Sequence, residues 1–357
     1  MSLATDPSAA ADPAPGARNH GSAPRGATAR YAFLRYFGFK LLAALVSFAI
    51  TLLIGFVLFQ LMPSDPVQTL TRGHPTSYAQ MLHLRHQLGL DQPVWRRFLT
   101  FVTNILQGRL GDSWQFQQPV ADLIRARLWP TLLLMGASTV LSVVIGLWLG
   151  VRSGWRHGSV LDKVTSSVSL TFWSVPTFWL GMILLIVFSV GLGPIPALFP
   201  AGGMSDPSLP QTGFTHIVDV GRHLVLPAAT LVLVVFAQYT TIMRSSIIDE
   251  LGSPYLLTAR AKGLTDADVR RKHAVPNALL PSVTVIFLQL GGLVTGAITV
   301  ETVFSWPGLG YLTYQALQVP DLPLLQGTFI FFSASVILMN LLADVAYRFL
   351  DPRVRAQ

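Results

Sequence analysis

Residues 41–61 read LLAALVSFAITLLIGFVLFQL and contain no charged side chain. The hydrocarbon core of a bilayer is about 30 Å thick and takes about 20 helical residues to cross. Within it no water can satisfy backbone N–H and C=O groups, so an apolar run of this length must be a helix. Five further stretches qualify: 131–151, 164–190, 224–243, 278–300 and 325–349. Pro176 lies in the middle of the third and is expected to break or kink it. Pro227 falls in the first turn of the fourth, where a missing N–H does least harm. The expected fold class is therefore all-α integral membrane, with six transmembrane helices. Composition agrees: 12% of the residues are charged, against about 25% in soluble domains, which is too little polar surface to cover a globule in water.

Six spans place both termini on one side, and Lys and Arg choose the side. The tail, the loop after the second span, the loop after the fourth and the C-terminus hold 17 of the 25 basic residues. That face is expected to be cytoplasmic, which makes the protein multi-pass with both termini cytoplasmic. The net charge of +8 is then the ordinary basic bias of a membrane protein. No basic face with interleaved aromatics points to nucleic acid. Residues 1–34 begin with an Ala/Pro/Gly/Ser-rich stretch without apolar periodicity and read as a disordered cytoplasmic tail. Residues 35–357 are expected to form one six-span domain. Its external segment, 63–129, has helical spacing over 77–88 and 94–106, and the second of these has an apolar side suited to a membrane surface.

The residue census excludes most chemistry. There is no cysteine. The four lysines precede Leu41, Val164, Gly263 and His273, so none sits in a phosphate-binding Gly-x4-Gly-Lys-Ser/Thr loop. The only glutamates are Glu250 and Glu301, and neither follows a histidine as a zinc-protease motif needs. His83 and His86, with His74 nearby, lack a carboxylate or third fixed ligand and read as surface histidines. A passive channel and a membrane enzyme remain as other classes, to be separated by the ATP dependence of transport and by activity of the isolated chain.

The loop 247–277 is unlike the rest. Its core, ARAKGLTDADVRRKHAVPNALLP (259–281), carries five basic and two acidic residues between apolar spans. Thr265 is a good N-cap, and Asp268 completes a capping-box pattern. Asp266 and Asp268 fall in the first turn and Arg270, Arg271 and Lys272 near the end, as the helix dipole favours. Gly263 ends whatever precedes. The spacing predicts a helix over 265–275, about 15 Å long and bounded by Pro276, lying crosswise between the fourth and fifth spans.

This segment resembles the cytoplasmic loop of ABC-transporter permeases, whose pattern is Glu-Ala-Ala, three residues, Gly, nine residues, Ile, any residue, Leu-Pro. Here the Gly is Gly263 and the ending is His273-Ala274-Val275-Pro276; the opening is Leu257-Thr258-Ala259, without the Glu. YLLTARAKGL, HAVPNALLP, LQLGGLVTGAITVETVFSWPGLG and DVAYRFLDPRVR resemble the dipeptide/oligopeptide/nickel branch. So do LMPSDPV (61–67), HQLGLDQPV (86–94), GRLGDS (108–113), PVADLIRARLWPTLLL (119–134) and VPTFWLG (175–181).

The resemblance implies a type I ABC importer permease with a coupling helix in a bacterial cytoplasmic membrane. Its implied partners are a second homologous permease, two ABC ATPase subunits that hold ATP and Mg, and an extracytoplasmic solute-binding protein. The implied cargo is di- or oligopeptide, with nickel or another small nutrient as the alternative. By this analogy Ala259, Ala261, Gly263, Leu264, Thr265, Ala267, Val269, Arg270, Arg271, His273 and Pro276 form or support the ATPase-docking surface. This chain is expected to bind no cofactor or metal of its own. Trp173, Pro176, Phe178, Gln289 and Glu301 are candidates for the pathway or its gate. Gly146 and Gly150, like Gly291, Gly292 and Gly296, are read as close-packing positions.

Overall fold

The computed structural model describes residues 25–61, 67, 77–87, 89–290 and 298–350. Two compact units make up the chain, Met1–Leu42 and Ala43–Gln357. The described part of the first is the start of helix α1 (Arg25–Leu61). Residues 25–34, assigned to the tail from composition, are therefore helical; Ala, Arg and Leu are strong helix formers. Among the described residues every named element is a helix, and pairing is limited to isolated bridges.

Four helices are long and apolar enough to cross a bilayer. They are Arg35–Leu61 within α1, α4 (Val120–Trp155), α7 (Gly213–Leu251), and Leu322–Val345 within the last helix, α13 (Leu322–Leu350). Between α1 and α4 lie α2 (Tyr78–Gln87) and α3 (Val94–Leu106). Ser77 and Gln80 cap α2 reciprocally. Phe98 and Phe101 of α3 pack on Phe56 of α1, with ring centroids 5.2 and 5.6 Å apart.

The third expected span is broken. α5 (Val160–Ser174) and α6 (Thr177–Leu185, continued by a π turn over Ile186–Gly191) meet at 98°. The cause is local: proline pushes the preceding residue out of the helical region, and Val175 sits at φ −80°, ψ 129°. The pair counts as a fifth span if both arms belong to one crossing. The expected fifth stretch, 278–300, contains residues 291–297, which lie outside the described residues together with the glycine face expected there. Its described parts are α10 (Val275–Leu290) and α11 (Ile298–Val303). Pro227 is not in a first turn: α7 begins at Gly213, so the proline lies inside the helix. Asp219 and His223 (3.2 Å apart, four residues apart in sequence) stabilise that polar extension.

α4 packs along α7 through small residues. A Cβ on Gly146, Gly150 or Gly154 would lie 2.6–2.8 Å from the nearest atom of α7, and in each case within 2.8 Å of a backbone oxygen there. Near the far end of α4, Thr131 donates to Glu301 (2.9 Å), which also accepts the Tyr311 N–H (2.9 Å). Trp306 donates its indole N–H to the Pro130 carbonyl at 2.9 Å. The loop FSWPGLG is thus strapped to α4, ahead of α12 (Leu309–Gln318). Asp321 accepts from Ser113 (2.5 Å) and from the Leu324 N–H (3.1 Å), and so fixes the start of α13.

Candidate functional site

The charged loop is built on the end of α7. Gly252 and Ser253 turn the chain into α8 (Pro254–Ala261), whose proline starts the helix at no hydrogen-bond cost. Gly263 then adopts φ +80°, a left-handed conformation that suits glycine. Thr265 caps α9 (Asp266–Val269), accepting the Asp268 N–H at 3.2 Å and donating to its carboxylate at 2.7 Å. Lys272 reaches Asp268 at 2.8 Å. Lys272 and the Thr265 hydroxyl hold the Asp268 carboxyl below the usual carboxylate range.

The helix expected over 265–275 does not stop at Pro276. After α9 the chain makes a π turn over Arg270–Ala274, in which the Val275 N–H bonds back to the Arg270 carbonyl, and passes directly into α10. Pro276 sits in the first turn of α10, where its missing N–H is tolerated. The Asn277 amide covers the His273 carbonyl at 3.1 Å. The segment is an elbow continuous with the following helix, not a separate crosswise rod.

Beneath the elbow, Met243 and Ile247 of α7 cluster with Leu256, Ala259, Val269, Ala274 and Ala278, all buried. Three polar ties hold its rim. Trp155, at the end of α4, donates its indole N–H to Asp266 at 2.7 Å. Arg260 lies 3.7 Å from the same carboxylate. Tyr255 donates to Glu250 and accepts from Asn277 at 3.0 Å, joining α7, α8 and α10. Trp155 and the Glu250–Tyr255–Asn277 chain escaped the sequence reading. An interfacial tryptophan is common, and its partner lies 111 residues away.

The expected docking residues divide into two sets. Ala259 and Val269 are buried and Leu264 is half-buried, so they carry the platform. Ala261, Thr265, Ala267, Arg271 and Pro276 are exposed, with Arg270 and His273 partly covered. The tip at 265–267 is thus open to a partner, while the residues beneath it are fixed.

The pathway candidates do not converge. Trp173, Pro176 and Phe178 are exposed around the bend between α5 and α6. Gln289 is exposed and donates to Gln238 of α7 at 3.0 Å. Glu301 is fully buried, and its carboxylate accepts from the Thr131 hydroxyl and the Tyr311 N–H. His83 and His86 are exposed on α2, and His74 lies outside the described residues.

A further tie links the start of α5 to α7. Arg244 holds Asp162 at 2.5 and 3.0 Å, and Asp162 also accepts the Gly158 N–H at 2.9 Å. Asp162 precedes the apolar run that begins at Val164 and is 3% exposed. Removing the carboxylate leaves the Arg244 guanidinium without its partner, so Asp162→Asn is expected to lower unfolding stability by about 3 kcal/mol at pH 7. Thermal unfolding of the detergent-solubilised chain checks it, beside Arg244→Gln and the double variant; strictly additive losses would reject the pairing as the cause.

Comparison with known proteins identifies the setting of this geometry. The profile of the family described as binding-protein-dependent transport system inner membrane component matches residues 142–356, and that of its N-terminal companion matches residues 33–135. The dipeptide transport system permease protein DppB of Escherichia coli (strain K12) is 38% identical over 319 residues, covering 85% of this chain and 93% of that protein. The di/tripeptide transport system permease protein DppB of Pseudomonas aeruginosa (strain UCBPP-PA14) is 37% identical over 324 residues, covering 87% and 95%. The glutathione transport system permease protein GsiC of Pectobacterium atrosepticum is 37% identical over 323 residues, covering 90% and 99%. Matched along nearly its whole length, the chain belongs to the family of binding-protein-dependent transport system inner membrane components, the multi-pass permease subunits of ABC importers.

Proposed function

We propose that this permease forms half of the translocation pathway of an ATP-driven importer of di- and oligopeptides. A second homologous permease supplies the other half in a six-span, type I arrangement. A solute-binding protein delivers the peptide from outside. Two ATPase subunits, which carry ATP and Mg, engage the permeases from the cytoplasm, where both termini of this chain lie. The observation that carries the reading is the capped elbow: an exposed tip at Thr265–Ala267 on a buried platform joined to α4, α7 and α10. Its stiffness is what a transmitting element needs. When ATP closes the ATPase pair, a rigid elbow moves the helices attached to it, and the spans rock between inward- and outward-facing states. Exposed Trp173, Phe178 and Trp179 at the bend of α5 and α6 supply apolar surface for the second permease or for the passage between the two. Peptide as cargo is supported by the relatives named as dipeptide and di/tripeptide permeases.

The test is a gentle detergent pull-down of the chain from its native membrane, with mass spectrometry of what co-purifies. A second permease and two P-loop ATPases are expected, and any binding protein recovered is then titrated with dipeptides, longer peptides and nickel. A chain that emerges alone after crosslinking overturns the assembly. A binding protein that takes nickel and no peptide overturns the cargo.

A further inference from the structure

Beside the elbow lies an open groove of about 360 Å³. Its apolar wall is Leu147, Trp148 and Val151 of α4 with Val275 and Leu279 of α10. Its basic wall is Arg152, Arg270 and Arg271. None of these three arginines forms an ion pair with a carboxylate among the described residues, whereas neighbouring Arg244, Arg260 and Lys272 each do. Two of them are backed by indoles: Arg152 lies 4.0 Å over the Trp148 ring, and Arg270 lies 6.0 Å from that of Trp155. Stacking on a ring holds a guanidinium's plane while leaving its N–H edges free, the arrangement that suits phosphate oxygens. The groove also sits where an apolar helix ends: Trp148 and Arg152 are in the last two turns of α4, and Val275 and Leu279 in the first two of α10.

We infer that this groove is a site for an anionic phospholipid, whose phosphate is held by Arg152, Arg270 and Arg271 and whose acyl chain lies along Leu147, Val151 and Leu279. The combination decides the occupant. A soluble anion has no use for the apolar wall, a neutral lipid leaves three guanidiniums uncompensated, and basic pockets between helix ends at the membrane face recruit anionic headgroups. A lipid there touches both α4 and the π turn that connects the elbow to α10. Lipid charge thereby becomes a condition on how firmly the elbow is held, independent of cargo.

The assembled transporter is reconstituted into vesicles containing a minor fraction of dibrominated phosphatidylglycerol or dibrominated phosphatidylcholine, and tryptophan quenching is compared. Excess quenching by the anionic lipid is expected, with most of the excess lost in Trp148→Phe. Arg152→Gln is expected to weaken the preference about five-fold, the effect of one cationic contact near a charged surface, with Arg152→Lys partly restoring it. Arg156→Gln removes a charge four residues away and outside the groove, and is expected to leave the preference unchanged. Equal quenching by the two lipids, as when a partner protein covers the groove, overturns the inference. So does an equal loss in Arg156→Gln, which marks general surface charge. Millimolar inorganic phosphate is expected to have no effect; abolition of the preference by phosphate reassigns the groove to a soluble anion and also overturns it.

Discussion

Ala267→Trp is expected to reduce peptide uptake by the assembled transporter about ten-fold or more, a loss of docking equivalent to roughly 1.4 kcal/mol or above, while the amount of folded chain in the membrane stays unchanged. Ala267 is exposed at the tip of α9 and contributes nothing to the cluster beneath. The residues around it cannot turn to hide an indole. Thr265 is committed to the cap, Asp266 to Trp155 and Arg260, and Asp268 to Lys272. The added ring must therefore project into whatever the tip enters. Val269→Ala, two residues on, is the contrast. Val269 is fully buried among Met243, Ile247 and Ala274, so its truncation is expected to cost about 2 kcal/mol of stability and to lower the level of folded chain. Uptake per folded molecule, measured beside ATP hydrolysis in the same vesicles, separates the two. Normal uptake by Ala267→Trp would remove the tip from the docking surface.

The contrast between tip and platform was partly legible in the sequence. Thr265 followed by Asp266 and Asp268 is a local signal, and the cap forms as that signal reads. Pro276 was ambiguous for a physical reason: a proline that ends one helix and a proline in the first turn of the next look alike in sequence. Which holds depends on whether the chain can absorb the missing N–H, and here a π turn does so. Hydropathy found the apolar centres of α1, α4, α7 and α13 because a long uncharged run has no other way to satisfy its backbone. It missed their polar extensions. Residues 213–223 include Asp219, Arg222 and His223, which lower the local hydropathy, yet Asp219 and His223 pair at the helical i,i+4 spacing. The ties that stiffen the elbow were beyond reach for another reason. Trp155 with Asp266 and Asp162 with Arg244 are separated by 111 and 82 residues, so each pairing exists only once the long helices have been laid side by side. Glu301 stood out as a candidate for the pathway or its gate because a carboxylate near the end of a span is costly; that its cost is met by Thr131 and the Tyr311 N–H could not be read from residues 170 and 10 positions away.

That side-by-side packing is where the largest loss of folded protein is expected. Gly150→Val should nearly abolish accumulation of folded chain, whereas Gly136→Ala in the same helix should be tolerated. A Cβ at Gly150 falls 2.7 Å from both the Met243 Cβ and the Thr240 carbonyl oxygen, and 3.1 Å from the Arg244 N. Two of these three atoms are backbone, so no rotamer change relieves the contact, and α4 and α7 must separate. Overpacking of this kind costs about 1–3 kcal/mol per site, against a total stability of about 5–15 kcal/mol for a folded domain. The two γ-methyls of valine and the loss of registry at Gly146 and Gly154 add to it. Separation also withdraws Trp155 from Asp266, so the elbow loosens along with the helix pair. At Gly136 nothing lies within 4 Å of the added carbon, and alanine there only improves helix propensity. Fluorescence-detected size exclusion of the two variants in detergent reads the difference directly. Equal monodisperse peaks would show that α4 and α7 do not approach through these glycines, and the platform would then need another explanation for its rigidity.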